Sequence, residues 1–180
     1  MHFDSVLSFV VDDVAGFTYL DNRVYVVYDL RQTIHVFAAD TFSEVSVITV
    51  NGLKDPLDIV ASHDDHCLYV SDWFCSIWRV SAVNPTDCEK WLTVGPLPGF
   101  YAVSLTSRRL LLTSPWSHCL HQYSTVNKEL LRVVLLPRSL KKLTHAVETS
   151  RGTFVVSHSQ PHSAVGELLS LVICLVHLHQ

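Results

Sequence analysis

The chain has 180 residues, of which 48% are hydrophobic and 17% charged, so it can bury a core and long intrinsic disorder is excluded. Its formal net charge of −4 divides unevenly, with −9 over residues 1–90 and +5 over residues 91–180. This asymmetry indicates an interaction surface in the second half, although solvated faces without a partner explain it as simply.

The N-terminus does not have the features of a secretory signal. It carries no basic region, and Asp4, Asp12 and Asp13 interrupt its apolar stretch. The five cysteines show no paired spacing, which favours neither a disulfide framework nor a zinc ribbon and predicts a cytoplasmic location. The longest apolar run, residues 168–178, is too short to span a bilayer.

Four segments of the chain repeat one rhythm of turns and apolar strands. Tyr25, Tyr69, Leu111 and Phe154 occupy equivalent positions, with spacings of 44, 42 and 43 residues. Four short strands in a unit of about 40–50 residues are typical of a β-propeller blade. Blades stack face to face, which explains near-continuous apolar strands such as VYVVY. A β-sandwich of evenly spaced hairpins is the competing architecture, but a sandwich needs no equal units.

The predicted fold is therefore all-β, an incomplete β-propeller arc of three to four four-stranded antiparallel blades. The blades are assigned to about 15–50, 57–94, 100–136 and 143–166, within a partial propeller over 15–166. Residues 1–14 hold a leading strand or the remnant of a preceding blade, with a stray outer strand at Val6–Val11. Residues 167–180 form an apolar tail, interpreted as outer strands of the last blade, a non-native extension, or a segment that contacts a partner or membrane.

An open arc leaves two blade faces uncovered, which creates a site of association or aggregation. Three explanations are open. The chain is a fragment or truncated gene product without independent function, or two arcs pair into a homodimeric ring, or a small variant closes irregularly.

The stretch PLDIVASHDDHCLYVSDWFCSIWRVS, at residues 56–81, resembles the NHL repeat. The residues that fall on the NHL pattern are Pro56, Ile59, Val60, Tyr69, Val70, Asp72, Ile77 and Val80. The part LYVSDWFCSIWRV is also similar to the YWTD propeller of receptor ectodomains, but the lack of paired cysteines and of a signal favours the NHL type. The resemblance implies a six-bladed ring and a loop face that recognises RNA or protein.

The strand meander predicts which loops share a face. If strands a to d of each blade run outward, the b–c loops and the d-to-a connections lie together, and basic side chains beside exposed aromatics there can hold phosphates and stack bases. The predicted binding residues are Arg31, Lys54, Asp72, Trp73, Phe74, Trp116, Arg138, Lys141 and Lys142. Alternatively, Trp73 and Trp116 fill gaps between blades, and Lys141 and Lys142 only solvate a loop.

No catalytic residue, metal site or cofactor is predicted. The cluster His63–His66 (HDDH) holds plausible ligands, but four consecutive turn residues do not readily converge on one ion, and Asp is common in turns. His118 and His121, three apart on a predicted strand, are expected on opposite faces. The enzyme alternative is a calcium-dependent, lactonase-like hydrolase of six-bladed layout.

The inner strands would offer that hydrolase Asp58, Ser104 and His145 or Glu148, a thin set for an ion that takes six to eight oxygens. The sequence therefore predicts a non-catalytic propeller scaffold. A protein is the expected partner, RNA is the alternative through the basic second half, and no membrane span is expected.

Overall fold

The computed structural model describes residues 14–94, 102–115, 117–140, 142–159 and 171–176. The strands are β1 (Val14–Leu20), β2 (Arg23–Tyr28), β3 (Thr33–Ala38), β4 (Glu44–Thr49), β5 (Pro56–Ser62), β6 (Cys67–Asp72), β7 (Ser76–Ser81), β8 (Cys88–Thr93), β9 (Ala102–Thr106), β10 (Arg109–Thr113), β11 (Cys119–Ser124), β12 (Leu130–Leu135), β13 (Leu143–Glu148), β14 (Phe154–Ser159) and β15 (Leu171–Val176). Within these ranges, no helix has the length and apolar character needed to cross a membrane.

The strands form four antiparallel sheets in chain order. β1–β4, β5–β8 and β9–β12 are four-stranded meanders, and β13–β15 form a three-stranded sheet. The first strands of successive sheets lie against one another, so each sheet is a blade whose first strand is innermost. The described sheets make an open arc, which confirms the predicted all-β, propeller-like architecture of antiparallel blades.

The fourth blade takes its third strand from residues beyond 166. β15 pairs antiparallel with β14, from Phe154 opposite Val176 to Ser159 opposite Leu171. This pairing extends the blade into the stretch that the sequence assigns to a tail. The stray strand predicted at Val6–Val11 lies outside the described residues.

Three hydrophobic cores lie between consecutive blades. Alternate residues of each strand point to opposite faces of a sheet, so a blade with neighbours on both sides needs apolar residues on both faces. Members of the three cores, in order along the arc, are Val27 with Val70, Tyr69 with Leu112, and Leu120 with Phe154. The equal spacing of the repeats thus follows from one packing arrangement used three times.

Close backbone approach joins blades one and two near the axis of the arc. A Cβ atom on Gly16 would lie 2.8 Å from Asp58 Oδ1 and 3.0 Å from Asp58 Cα. A glycine at this position therefore lets β1 and β5 approach closely, because any larger residue would displace the neighbouring backbone.

Polar bonds between inner strands fix the register of neighbouring blades. The Ala61 N–H donates to Thr18 Oγ1 at 3.1 Å, and the Ser104 hydroxyl donates to the Ala146 carbonyl oxygen at 2.6 Å. Each bond crosses from one blade to the next. The apolar cores supply most of the burial, and these bonds select one alignment of the blades.

Candidate binding face

The b–c turns and the d-to-a connections lie on one face of the arc, called here the loop face. The Trp73 N–H, in the b–c turn of blade two, donates to the Asp55 carbonyl oxygen in the preceding connection at 3.0 Å. In blade three, His118 Nδ1 lies 3.0 Å from the Leu140 carbonyl oxygen of the following connection. These contacts place the two kinds of loop together, as the strand meander predicts.

Three of the predicted binding residues meet in blade two. Lys54 Nζ lies 5.7 Å from the centre of the Phe74 ring, within the range of a cation–π contact. Trp73 and Phe74 are adjacent in the turn, and 51% and 57% of their surfaces are exposed. Trp73 is thus presented to solvent and does not fill a gap between blades. We call these three residues the Lys54 cluster.

Asp72 lies beneath the loop face. It is buried at the end of β6, where Oδ1 accepts the Ser76 N–H and Oδ2 accepts the Trp78 indole N–H, both at 2.9 Å. Both carboxylate oxygens therefore bind groups of the chain's own b–c hairpin. The residue fixes the turn that carries Trp73 and Phe74, which is a structural role and not the direct contact that the sequence predicts.

The other predicted residues lie further along the loop face. Arg31 is exposed in the b–c turn of blade one, with its guanidinium carbon 5.2 Å from the centre of the Tyr28 ring. Arg138 and Lys142 are exposed in the connection to blade four. Trp116 and Lys141 lie outside the described residues.

The loops at the two ends of the strands carry opposite net charges among the described residues. The charged residues in the loops of the loop face are the cations Arg31, Lys54, Arg138 and Lys142 and the carboxylates Asp29 and Asp55, Asp72 being buried. Those in the a–b and c–d turns of the opposite face are the carboxylates Asp21, Asp40, Asp64, Asp65, Asp87 and Glu129 and the cations Arg108, Lys128 and Arg151. The loop face is therefore cationic and the opposite face acidic, a polarity that the comparison of sequence halves does not reveal.

The HDDH cluster forms the a–b turn of blade two, as its turn composition predicts. The Ser62 hydroxyl donates to Asp65 Oδ2 at 3.2 Å. His66 Nδ1 lies 2.7 Å from Asp21 Oδ2 in the a–b turn of blade one. These contacts give the cluster a structural role, because they tie two neighbouring turns together.

The two histidines of blade three do not lie on one strand, although the sequence predicts that they do. β11 begins at Cys119, so His118 precedes the strand, and its φ of 44° lies in the left-handed region. His121 is buried within β11, and this burial lowers the pKa of its imidazole. The expectation that both residues occupy one strand was wrong because the left-handed turn at His118 delays the start of the strand.

Asp58 lies on the inner strand β5, near the axial side of the arc. Its Oδ2 accepts the Val103 N–H at 2.9 Å and lies 3.8 Å from His145 Nε2, so one carboxylate connects blades two, three and four. Burial is the largest influence on this group and raises the pKa of Asp58. Hydrogen bonds from Val103 and Ile59 and the nearby His145 act in the opposite direction.

The raised pKa of Asp58 predicts a pH dependence of stability. The pKa of Asp58 is higher in the folded state than in the unfolded state. The contribution of Asp58 to the free energy of unfolding is therefore fully present below the ordinary carboxyl pKa and is lost as pH rises through the raised pKa. Asp58→Asn removes this titration while keeping an acceptor for the Val103 N–H. We expect the free energy of unfolding of Asp58→Asn, relative to the wild type, to increase as pH rises through this window.

Urea denaturation between about pH 3 and pH 7 measures this difference. Asp64→Asn, at an exposed position in the a–b turn, is the matched control for the loss of one carboxylate. A difference for Asp58→Asn that stays constant across the range would contradict the raised pKa.

The remaining inner-strand residues named for the hydrolase alternative are engaged between blades. Glu148 is buried, with its Oε2 2.7 Å from the Gln122 side-chain nitrogen and 3.5 Å from an Arg109 guanidinium nitrogen. Its Oε1 accepts from the Arg132 guanidinium at 2.5 Å. Ser104 donates to a backbone carbonyl of blade four. These oxygens are thus already used to hold blades three and four together.

Comparisons with solved structures agree with the propeller-like fold. The chain superposes on hydrazine synthase of Kuenenia stuttgartiensis, a protein that contains a β-propeller, with a TM-score of 0.68 at 14% sequence identity, covering 89% of this chain and 49% of that one. It superposes on the computationally designed protein Ika8 with a TM-score of 0.59 at 9% identity, covering 79% of this chain and 42% of that one. The chain thus spans about half the length of these structures, or less.

At such identities the likeness shows the fold alone. No protein-family profile matches the chain, and no curated protein matches it in sequence. The chain is therefore assigned to the class of propeller-like, all-β proteins with stacked antiparallel blades. The NHL resemblance stays a prediction.

Proposed function

We propose that the chain is a non-catalytic, NHL-type propeller scaffold that binds a protein partner through its loop face in the cytoplasm. The observation that carries this proposal is the Lys54 cluster, in which two adjacent aromatic side chains are exposed beside a cation on an ordered turn. Exposed aromatics with a neighbouring cation are typical of the residues that dominate binding energy at protein interfaces. The spacing of the five cysteines, which shows no paired pattern, agrees with a reducing compartment.

The charge of the loop face favours an acidic partner. Lys54 and Arg31 would pair with carboxylates, while Trp73 and Phe74 would bury apolar side chains of the same segment. A partner segment with acidic residues flanking an aromatic or aliphatic anchor therefore fits this face.

RNA is the second candidate, because the same cations would neutralise phosphates and the same aromatics would stack bases. The hydrolase alternative receives less support, since Asp58, Ser104 and Glu148 are engaged in bonds between blades. These bonds explain the polar inner-strand residues without a reaction.

Binding to a random twelve-residue peptide library tests the proposal. Selected peptides are expected to be acidic with an apolar anchor, and the double variant Trp73→Ala/Phe74→Ala should weaken their binding about thirtyfold or more, as expected for hot-spot residues. Val83→Ala, at a position that is 77% exposed in a c–d turn, is the matched control and should retain binding. Equal loss in both variants, or none in either, would refute the assignment to the Lys54 cluster.

A salt titration with a single-stranded RNA of mixed sequence separates the second candidate. An RNA-binding face would lose affinity steeply with salt, and Arg138→Glu/Lys142→Glu would reduce that slope. Peptide binding through Trp73 and Phe74 should depend less on salt. RNA binding that is tight and salt-dependent, with no peptide selected, would replace the proposed partner class.

A further inference from the structure

One face of blade one is apolar, and none of the described residues of other blades covers it. It points away from blade two and lines a groove of about 360 Å³. The residues of this open face are Val14, Phe17, Tyr19, Val24, Val26, Tyr28, Phe37 and Phe42. Their neighbours in the strands, such as Tyr25 and Val27, are buried against blade two. The alternation of β1–β3 therefore places aromatic residues on a sheet face against which no described blade packs.

The strand register shows how unusual this exposure is. Phe17 opposes Val26 in blade one, as Ile59 opposes Val70 in blade two and Val103 opposes Leu112 in blade three. Phe17 is 71% exposed, whereas its counterparts Ile59 and Val103 are 3% and 2% exposed. Tyr19 and its counterpart Ala61 differ in the same way. In blades two and three, the preceding blade covers this face.

The other end of the arc has the complementary kind of face. In blade four, Ala146 and Val156 are buried against blade three. The opposite face of β13 and β14 points away from blade three. It carries the exposed residues Thr144 and Val147 and the half-buried residues Val155 and Ser157. At each of the three interfaces within the chain, the corresponding face of one blade, which points away from the preceding blade, covers the next blade.

We propose that a second copy of the chain covers the open face of blade one with the outer face of its own blade four, and that two such contacts close a ring of two copies. The contact continues the stacking already used three times in the arc. Two copies are inferred because the arc superposes on 49% and 42% of two solved chains, so two arcs supply about the length of one. Head-to-tail contacts form closed rings when the rotation closes and open polymers when it does not.

This contact uses neither Trp73 nor Phe74. It therefore goes beyond the proposed function, and its failure would leave the binding of peptides to the loop face standing.

Light scattering of the purified full chain at micromolar concentration tests the proposal. We expect twice the chain mass of 20.3 kDa for the wild type and a single chain for Phe17→Asp. Phe17 is exposed within one copy, so the substitution should leave the circular dichroism spectrum unchanged. Phe74→Asp, an exposed aromatic on the loop face, is the matched control and should remain a dimer.

A mixing experiment identifies the two faces as partners. Val147→Asp, on the outer face of blade four, should also give single chains. An equimolar mixture of Phe17→Asp and Val147→Asp chains retains one unaltered contact, so dimers should return with weaker affinity than in the wild type. A mixture that stays monomeric would show that these faces do not meet.

Three results of the mass measurement would overturn the proposal. A monomeric wild type would mean that another segment, such as residues 1–13, covers the face or that nothing does. A polydisperse or filamentous sample would mean that the stacking does not close. A dimer that persists in Phe17→Asp would place the interface elsewhere.

Discussion

Replacement of Glu148 by alanine is expected to lower the free energy of unfolding by about 2–3 kcal/mol, because it removes the carboxylate that accepts from the buried Gln122 side chain and from two partly exposed guanidinium groups. The Glu148 side chain is only 1% exposed, and it holds cations of blade three from a position in blade four. Its loss leaves the Arg132 guanidinium without its carboxylate beside the Phe154 ring, whose centre lies 5.0 Å away. Urea denaturation followed by tryptophan fluorescence measures the effect.

Glu129→Ala is the matched control for this prediction. Glu129 is exposed in the c–d turn of blade three, where it accepts from Asn127 at 2.7 Å, and the cost of its removal should stay below about 1 kcal/mol. Glu148→Gln keeps the shape of the side chain and one acceptor oxygen. Its loss of unfolding free energy should therefore lie between those of Glu148→Ala and Glu129→Ala. If Glu148→Ala costs no more than Glu129→Ala, the network does not hold blades three and four together.

The repeat made the blade architecture predictable from the sequence. Tyr25, Tyr69 and Leu111 recur at nearly constant spacing, and each packs towards the next blade, because every blade must present apolar residues to its neighbours. Phe154, which the sequence aligns with them, instead packs towards blade three, so the alignment is wrong by one residue in blade four and Val155 is the counterpart of Leu111. The loop face followed from the same regularity, since a meander returns its b–c turns and its connections to one end. The placement of Lys54 beside Phe74 required no more than this topology.

The roles of single polar residues could not be predicted in the same way. Glu148 binds Gln122, 26 residues earlier, and Asp58 binds Val103, 45 residues later. Such partners depend on how inner strands align between blades, which strand periodicity does not specify. The sequence places Asp72 on the surface because its turn is exposed, whereas its side chain is buried and binds groups within its own hairpin.

Asp72→Ala is expected to lower the free energy of unfolding by about 2–4 kcal/mol. The substitution leaves two N–H donors, those of Ser76 and the Trp78 indole, without their acceptor at positions that are 1% and 6% exposed. Each unsatisfied buried donor costs about 1–3 kcal/mol. Thermal and urea denaturation measure the loss, with Asp29→Ala as control.

Asp29 begins the b–c turn of blade one but is exposed, and its side chain accepts from the adjacent Leu30 N–H at 3.0 Å, so its removal should cost less than about 1 kcal/mol.

Variants of blade two separate the binding role of Trp73 from the structural role of Asp72. Trp73→Ala should weaken peptide binding and leave stability nearly unchanged, because Trp73 is half exposed. Asp72→Ala should lower stability first and weaken binding only as far as the turn loses its order. If Asp72→Ala abolished binding at full stability, the carboxylate would contact the partner directly, and its assignment beneath the loop face would be wrong.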